Sequence, residues 1–299
     1  MSQRKCPICN YHQESNLYAR SNYSEQNFNA FTFSSRKNPD FMHHRLYLCP
    51  KCDLVYASPI PDLSTLNFLY EKADFNSQSE AMFASKSYAR YLSKIIQNLP
   101  DMDGALDVGT GEGSFLEELL KIGFTNVIGV EPSEKPILAA KKHIQKIIKK
   151  EIFIQKNYKR NSYSLISCFQ TIEHVSDPLG MCKGFYSLLK ENGAVFIVGH
   201  NYRALINKLL KFNSPIYDIE HLQLFSSASL VKLLETAGFK DIHTYRMYNS
   251  YPLRYYLQLL PIALKIKEQL QRLLELCRLS EFLLTVPIGN TAIIGYKNF

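Results

Sequence analysis

The stretch that decides the fold of this chain is Leu106-Asp107-Val108-Gly109-Thr110-Gly111-Glu112-Gly113-Ser114-Phe115. An apolar run breaks into three glycines at alternate positions and then into a helical pattern, which predicts a strand, a tight turn and a helix. Glycine at these positions allows the backbone to approach a ligand closely, where a Cβ atom would clash. The spacing is GxGxG, which differs from the GxGxxG of dinucleotide-binding enzymes.

Two acidic residues narrow the chemistry of the expected ligand. Asp107 precedes the first glycine by two positions, where it would repel a pyrophosphate and attract a cationic amino group. Glu131 ends the next predicted strand, and a carboxylate at that tip can accept both hydroxyls of a ribose. S-adenosylmethionine has a ribose, an amino group and no phosphate. The residues therefore favour S-adenosylmethionine, with an ordinary NAD-type site as the alternative.

Three further segments complete a family pattern. They are FQTIEHVSDP (169–178), LLKENGAVFI (188–197) and EHLQLFSSASLVKLLETAGF (220–239). With LDVGTGEGSF (106–115) and GVEPS (129–133), they make the chain resemble the class I S-adenosylmethionine-dependent methyltransferases over roughly residues 86–247 plus the final strand. The resemblance implies an α/β fold with a doubly wound, mostly parallel, seven-stranded Rossmann-like sheet.

The resemblance also implies which residues bind the cofactor: Asp107, Gly109, Gly111, Gly113, Glu131 and Gln170. The first three would follow the methionine part, Glu131 would hold the ribose, and Gln170 lies where the fourth strand meets the cofactor. The family often has an acid after the third strand that contacts the adenine amino group. Residues 152–158 contain none, so Gln155, Asn157 or a backbone carbonyl is expected to replace it.

Two matching CPxC motifs predict a metal site near the N-terminus, with the ligands Cys6, Cys9, Cys49 and Cys52. Two residues between thiolates let one turn aim both sulfurs at one ion, and four thiolates make a closed, structural zinc site. Asn10 and Asp53 follow the two motifs and tolerate a left-handed backbone. Phe31, Phe33, Leu46 and Leu48 alternate well enough to predict a hairpin between the motifs. The other cysteines, Cys168, Cys182 and Cys277, lie in apolar patterns typical of a core.

Length and composition predict two parts, a zinc-binding module at 1–60 and a methyltransferase domain at 61–299. An N-terminal four-cysteine module before such a domain is similar to enzymes of sugar and surface-polysaccharide biosynthesis. Paired CxxC motifs suit a reducing compartment, and neither a signal peptide nor a run of about 18 apolar residues is seen, so we expect a cytoplasmic protein. The net charge of +8 is concentrated in residues 134–160. A solvated helix with a lysine-guarded edge strand accounts for this segment, and a surface for RNA or anionic lipid is the alternative.

Helices are predicted at about 114–122, 134–143, 178–190 and 227–237, with lead-in helices over 61–100. Tyr88 and Tyr91 lie on a lead-in helix that could cover the cofactor. The sixth and seventh strands are predicted at Asp241 to Met247 and Thr291 to Tyr296.

A long insert, about 251–285, separates these two strands. Pro261 is expected to open a helix whose apolar stripe contains Ile262, Ile266, Leu270, Leu273, Leu274 and Cys277. Packing of this helix on the domain as an active-site cover is the main interpretation. The alternatives are a homodimer contact and a peripheral membrane helix that admits a lipid-linked substrate.

Methyl transfer from a sulfonium is an in-line displacement, in which a base helps when the acceptor is a hydroxyl. His174, just after the fourth strand, and His221, in a loop before a helix, are the predicted catalytic residues, with His200 third. The turn at 169–172 lacks the Asn/Asp-Pro-Pro-Tyr pattern of amino-directed nucleic-acid methyltransferases. We therefore expect a small-molecule or glycan acceptor rather than nucleic acid. A ribosomal or transfer RNA methyltransferase and a non-catalytic S-adenosylmethionine-binding scaffold are the alternatives.

Overall fold

The structure is a computed structural model that describes residues 4–11, 16–23, 40–72, 79–260 and 262–298. Phe31 and Phe33, on which the predicted hairpin depends, lie outside these residues, as does Pro261. The described strands are β1 Leu17–Ala19, β2 Leu46–Leu48, β3 Val55–Ala57, β4 Asp103–Val108, β5 Thr125–Glu131, β6 Ile148–Lys150, β7 Tyr163–Phe169, β8 Leu189–His200, β9 Gln223–Leu224, β10 Lys240–Arg246, β11 Asn249–Pro252, β12 Leu283–Val286 and β13 Asn290–Tyr296. The described α-helices are α1 Leu63–Glu71, α2 Ser79–Leu92, α3 Ser114–Ile122, α4 Glu134–Ala139, α5 Lys142–Gln145, α6 Pro178–Leu188, α7 Leu205–Leu210, α8 Ser227–Ala237, α9 Leu253–Leu259 and α10 Leu264–Leu276.

The central sheet has seven strands in the order β10-β13-β8-β7-β4-β5-β6. The strands are parallel except β13, which runs antiparallel to both β8 and β10. Strands β4, β7 and β8 are almost wholly buried because helices cover both faces of the sheet. The predicted doubly wound, mostly parallel seven-stranded sheet is confirmed, and the third strand of this sheet, β6, lies at its edge as expected.

Local capping signals account for the helices that were predicted best. Helix α3 ends at Gly123, whose φ of 109° is accessible to glycine and closes the helix with two backbone hydrogen bonds. Helix α8 begins with a capping box between Ser226 and Ser229 and ends at Gly238, with a φ of 107°. The predictions for residues 114–122 and 227–237 are confirmed.

Two predicted helices are shorter than expected. The segment predicted as one helix over 134–143 breaks at Ala140 and Lys141, whose backbones are extended. The side chain of Gln145 donates to the carbonyl of Ala140 at 2.8 Å and so satisfies the end of α4. The helix predicted over 178–190 ends at Leu188, because Leu189 is extended, fully buried and paired with Tyr163 of β7.

The N-terminal segment is joined to the rest of the chain by a shared sheet. Strands β1, β2 and β3 form an antiparallel sheet whose fourth strand, β9, comes from residues 223–224. The guanidinium of Arg4 donates to the backbone carbonyls of Ala57, Ser176 and Leu222. Arg4 therefore contacts both the N-terminal segment and the predicted methyltransferase domain. The boundary near residue 60 therefore divides two segments that share a hydrophobic core.

The insert contains a two-stranded ribbon, β11 and β12, with α9 and α10 between the strands. Its long helix begins at Leu264 and has no buried residue. The expectation that the apolar stripe of this helix packs on the domain holds only for part of the stripe: Ile262 and Leu274 are partly buried, whereas Ile266, Leu270 and Leu273 are exposed. Cys277, predicted as core, is exposed as well. Among the described residues, no helix is both long and apolar enough to cross a membrane.

Candidate active site

A cavity of about 820 Å³ opens at the carboxyl ends of β4, β5, β7 and β8. Strand order reverses between β4 and β7, and ligands of doubly wound sheets bind at such a switch point. The walls of the cavity also include residues from α1, α2, α9 and the loop before β9. Of the predicted site residues, the cavity is lined by Asp107, Gly109, Gly111, Glu131, Gln170, His174 and His221.

All three loop glycines have positive φ angles, but the space around each of them differs. A Cβ atom at Gly109 would collide with the side chain of Thr171, whereas one at Gly111 would meet only open space. Gly113 lies outside the cavity lining, and a Cβ there would strike the side chain of Ile144. The structure thus places Gly113 differently from the prediction, because packing between α3 and α5 requires this glycine.

Asp107 brings a buried carboxyl group to the cavity from the end of β4. The hydroxyl of Ser167, on the neighbouring strand β7, donates to Asp107 Oδ1 at 2.5 Å. Burial raises the pKa of Asp107 to about 6, because the ionised form loses hydration that few donors replace. A cation entering the cavity would stabilise the ionised form of this carboxyl.

Glu131, at the end of β5, presents a carboxylate that the backbone holds in place. Its Oε2 accepts the N–H of Gly111 and its Oε1 accepts the N–H of Ser133, both at 2.9 Å. These bonds fix the plane of the carboxylate, and each carboxylate oxygen has the capacity for a second hydrogen bond. Burial raises the pKa of Glu131. The carboxylate lines the cavity with this remaining hydrogen-bonding capacity.

Gln170 follows β7 with a φ of 50° and contributes to the cavity wall. Its backbone N–H donates to the carbonyl of Val198 at 2.8 Å, which anchors the turn. Both polar atoms of its side-chain amide are buried without a hydrogen-bond partner among the described residues. A buried amide in this state is destabilising unless water or a ligand meets it, so the geometry fits a ligand-facing role.

An aromatic cluster forms another wall of the cavity around Phe169. The ring of Tyr88 lies 4.4 Å from that of Phe169, and Phe115 lies 4.6 Å away on another side, centroid to centroid. Tyr88 lies on α2 and lines the cavity, as expected of a covering helix. Tyr91 does not line it, and its hydroxyl donates instead to the carbonyl of Arg246 at 2.9 Å.

The wall near the third strand is mostly apolar. Strand β6 ends at Lys150, so an acid, Glu151, does follow it directly. The carboxylate of Glu151 accepts the hydroxyl of Tyr158 at 2.6 Å and lies outside the cavity lining. The cavity is lined here by Ile152, Phe153, Ile154 and Gln155. The amide nitrogen of Gln155 donates to Ser187 Oγ at 2.6 Å, and Asn157 does not line the cavity.

Three histidines meet at the other end of the cavity: His174 and His221 from loops, and His200 from the end of β8. The ring centroids of His174 and His221 are 4.9 Å apart, and those of His200 and His221 are 5.1 Å apart. The Nδ1 atom of His174 lies 3.7 Å from a carboxylate oxygen of Glu220. Ligand-capable atoms of His174, Glu220 and His221 all lie within 4.8 Å of one another. Such a cluster can exchange protons or coordinate a cation.

The hydrogen bonds of two of these rings define their tautomers. His221 Nδ1 lies 2.8 Å from the carbonyl oxygen of Ile216, which can only accept, so Nδ1 carries a proton. In the neutral ring the lone pair is then on Nε2. His200 Nδ1 lies 2.9 Å from Asn290 Oδ1 and adopts the same tautomer. His221 is buried, and this backbone hydrogen bond holds its ring.

Sequence reasoning missed two groups that support this cluster, Tyr70 and Glu173. The hydroxyl of Tyr70, on α1, lies 3.4 Å from the carbonyl oxygen of His174 and 3.3 Å from that of Glu220. The fully buried Glu173 accepts the backbone N–H of His200 at 2.6 Å and so fixes the end of β8. Glu173 could have been found from the sequence because it directly precedes His174. Tyr70 could not, because no local sequence pattern links α1 to these loops.

The four N-terminal cysteines also converge. Their sulfurs all lie within 4.8 Å of one another, and the sulfurs of Cys9 and Cys49 are 3.6 Å apart. The two loops have matching geometry: the N–H of Asn10 donates to the carbonyl of Cys6, and that of Asp53 to Cys49, both at 2.9 Å. Asn10 and Asp53 both have a φ of 56°, as predicted. Four thiols in this arrangement fit a tetrahedral metal ion.

The fold agrees with comparisons of the chain with known proteins. Residues 80–244, more than half of the chain, match the family profile described as a methyltransferase domain. The chain belongs to this methyltransferase family. It is an S-adenosylmethionine-dependent methyltransferase, which confirms the predicted enzyme class and organic cofactor.

The relatives of this methyltransferase include ubiquinone biosynthesis O-methyltransferases. The protein of Aliivibrio fischeri is 25% identical over 166 residues, which cover 50% of this chain and 70% of that protein. The protein of Vibrio parahaemolyticus is 27% identical over 167 residues, with the same coverage. A crystal structure of an S-adenosylmethionine-dependent methyltransferase from Archaeoglobus fulgidus has a TM-score of 0.50 and 19% identity, and the match covers 79% of this chain and 100% of that one. The similarity to the Archaeoglobus fulgidus structure shows the fold alone.

Proposed function

We propose that the methyltransferase holds S-adenosylmethionine between Asp107 and Glu131 and transfers its methyl group to a hydroxyl of a small-molecule or glycan acceptor. Asp107 would attract the ammonium of the methionine part, and Glu131 would accept the ribose hydroxyls. Gly109 and Gly111 would leave room for the chain between them. Gln170 would face the bound cofactor with its buried amide. The oriented carboxylate of Glu131 and the buried acid of Asp107, at the tips of adjacent strands, support this arrangement.

The histidine cluster supports a hydroxyl acceptor. S-adenosylmethionine supplies an electrophilic methyl group, so the protein has to align the acceptor and remove its proton. His221, with Nδ1–H bonded to a backbone carbonyl, would accept that proton at Nε2. His174, beside Glu220, would orient the acceptor or share the proton. The convergence of three imidazoles in one cavity is the observation that carries this assignment.

The relatives and the N-terminal cysteines support a class of acceptor. The relatives are named as O-methyltransferases, which favours oxygen over nitrogen or carbon. A glycan or sugar-derived hydroxyl is the acceptor implied by the resemblance of the N-terminal cysteine motifs to those of sugar and surface-polysaccharide enzymes. The N-terminal ligands Cys6, Cys9, Cys49 and Cys52 would hold one structural zinc ion, remote from methyl transfer.

Methyl transfer from radiolabelled S-adenosylmethionine tests the acceptor class. We expect label to enter a low-molecular-weight or glycan fraction of a cell extract freed of nucleic acid, and total RNA to stay unlabelled. The Asp107→Asn variant is the matched control, because it should lose donor binding without altering the acceptor end of the cavity. Label found in RNA alone, with salt-sensitive RNA binding through the lysines of residues 134–160, would instead indicate an RNA methyltransferase.

A further inference from the structure

We propose that α10 docks this methyltransferase on an anionic lipid bilayer, beside the mouth of the active-site cavity. The proposal rests on the orientation of one helix, its charge pattern and its place next to the cavity. It is independent of which hydroxyl accepts the methyl group.

Three residues of the apolar stripe of α10 face away from the protein. Ile266, Leu270 and Leu273 recur at helical spacing and are 48%, 37% and 54% exposed. The partly buried positions of the helix lie on another face: the ammonium of Lys267 donates to the carbonyl of Gln258 at 2.6 Å. The helix thus contacts its protein through Lys267, Gln271 and Leu274 and leaves the rest of its apolar stripe in solvent, which is typical of an interaction surface.

The charges on α10 are ordered as expected for a helix lying in a membrane interface. At 3.6 residues per turn, Lys265 and Arg272 border one side of the apolar stripe and Lys267 borders the other. Glu268 and Glu275 lie opposite the stripe. Lys265 and Arg272 are exposed and would meet lipid phosphates, whereas Lys267 contacts the carbonyl of Gln258. The acidic residues on the far face would stay in water.

The exposed apolar surface continues beyond the helix. Leu260 precedes it, and Leu279, Phe282 and Leu283 follow it, each between 43% and 57% exposed. The same insert lines the cavity through Tyr255 and Leu259 of α9. Leu260, which belongs to the exposed apolar surface, therefore directly follows a residue that lines the cavity. A lipid-borne acceptor could enter the cavity where the protein meets the bilayer.

Charge favours a bilayer over a second copy of the chain. The net charge of +8 is concentrated in residues 134–160, but α10 itself carries Lys265, Lys267 and Arg272 against Glu268 and Glu275, and this excess of cations attracts the helix to anionic lipid. A bilayer offers hydrocarbon in which the three apolar side chains of the stripe can be buried. It also offers phosphates for the cations beside the stripe. The bilayer is thus the occupant that matches the apolar stripe and the basic borders together.

Vesicle co-sedimentation of the full chain tests the proposal. Vesicles of phosphatidylcholine with phosphatidylglycerol should bind the protein, and vesicles of phosphatidylcholine alone should bind it more weakly. The double variant Leu270→Glu/Leu273→Glu should lose at least about tenfold in partitioning, because it removes apolar contact and adds charge repelled by the lipid. The control is Leu138→Glu, at a leucine of α4 that is more exposed than either of these two.

S-adenosylhomocysteine affinity and methyl transfer to soluble extract should be unchanged in the double variant, which separates this proposal from the active-site assignment. Equal sedimentation of the wild type and the double variant would overturn it. So would the absence of wild-type binding to anionic vesicles. A wild-type dimer in analytical ultracentrifugation that the double variant dissociates would assign the stripe to a homodimer contact instead.

Discussion

The His221→Ala variant is expected to lower the turnover of methyl transfer by about 10²- to 10⁴-fold, the usual contribution of a positioned base. His221 Nδ1 is held by the carbonyl of Ile216 at 2.8 Å, so the lone pair that would accept the proton is on Nε2. Removing the ring removes that acceptor. S-adenosylhomocysteine affinity should stay within about tenfold of the wild type, because the base acts on the acceptor and not on the donor. Steady-state turnover and calorimetric titration measure the two quantities.

The matched control for this variant is His243→Ala. His243 is an exposed histidine on β10, 2.8 Å from Asp241 and outside the cavity. It should leave turnover unchanged. A His221→Ala enzyme that keeps more than about a tenth of wild-type turnover would remove His221 from the role of base. In that event, His174→Ala would test the other predicted catalytic residue.

Loss of the four-thiol site is expected to have the largest effect on stability. The Cys49→Ser/Cys52→Ser variant should bind no zinc, whereas the wild type should carry one zinc ion per chain. Metal binding by four thiolates is worth on the order of 10 kcal/mol, and it becomes folding free energy where no site exists in the unfolded chain. Because Asp53 also pairs with Arg203, unfolding of this loop should loosen the connection to the loop after β8. Elemental analysis and thermal unfolding measure the two effects.

Cys277→Ser is the control for the cysteine variant, since Cys277 is exposed and distant in sequence from both CPxC motifs. It should retain zinc and the wild-type melting temperature. One zinc per chain retained in the double variant would contradict the site. So would a wild-type protein that contains no zinc when purified without chelators.

The donor end of the cavity could be predicted because its residues lie in two short strand–turn–helix units. Within such a unit, the spacing of residues determines where each side chain lies. Asp107 and Glu131 were therefore correctly expected at the tips of adjacent strands. Gly113 shows the limit of this reasoning. Its spacing suggested a ligand, but its missing side chain makes room for Ile144, a contact that sequence spacing does not reveal.

The acceptor end depends on contacts between distant parts of the chain. His174, His200 and His221 were identified singly, and only the fold brings the rings of His174 and His200 each within about 5 Å of the ring of His221. The supporting hydroxyl of Tyr70 comes from α1, more than a hundred residues earlier. Helix α10 was predicted from periodicity, which shows that an apolar stripe exists. Periodicity does not show whether that stripe faces the protein or solvent.

Titration of S-adenosylhomocysteine into the wild type and the Asp107→Asn variant, across pH 6, tests the central claim most directly. Burial raises the pKa of Asp107 to about 6, so in the wild type the carboxyl is ionised above this pH and neutral below it. We predict that wild-type affinity falls as the pH drops through this range, because the attraction of Asp107 for the ligand ammonium is lost. The Asp107→Asn variant should bind about 10- to 100-fold more weakly at neutral pH and show little of this pH dependence. Wild-type affinity in Asp107→Asn, with the same pH dependence, would contradict the placement of the donor between Asp107 and Glu131.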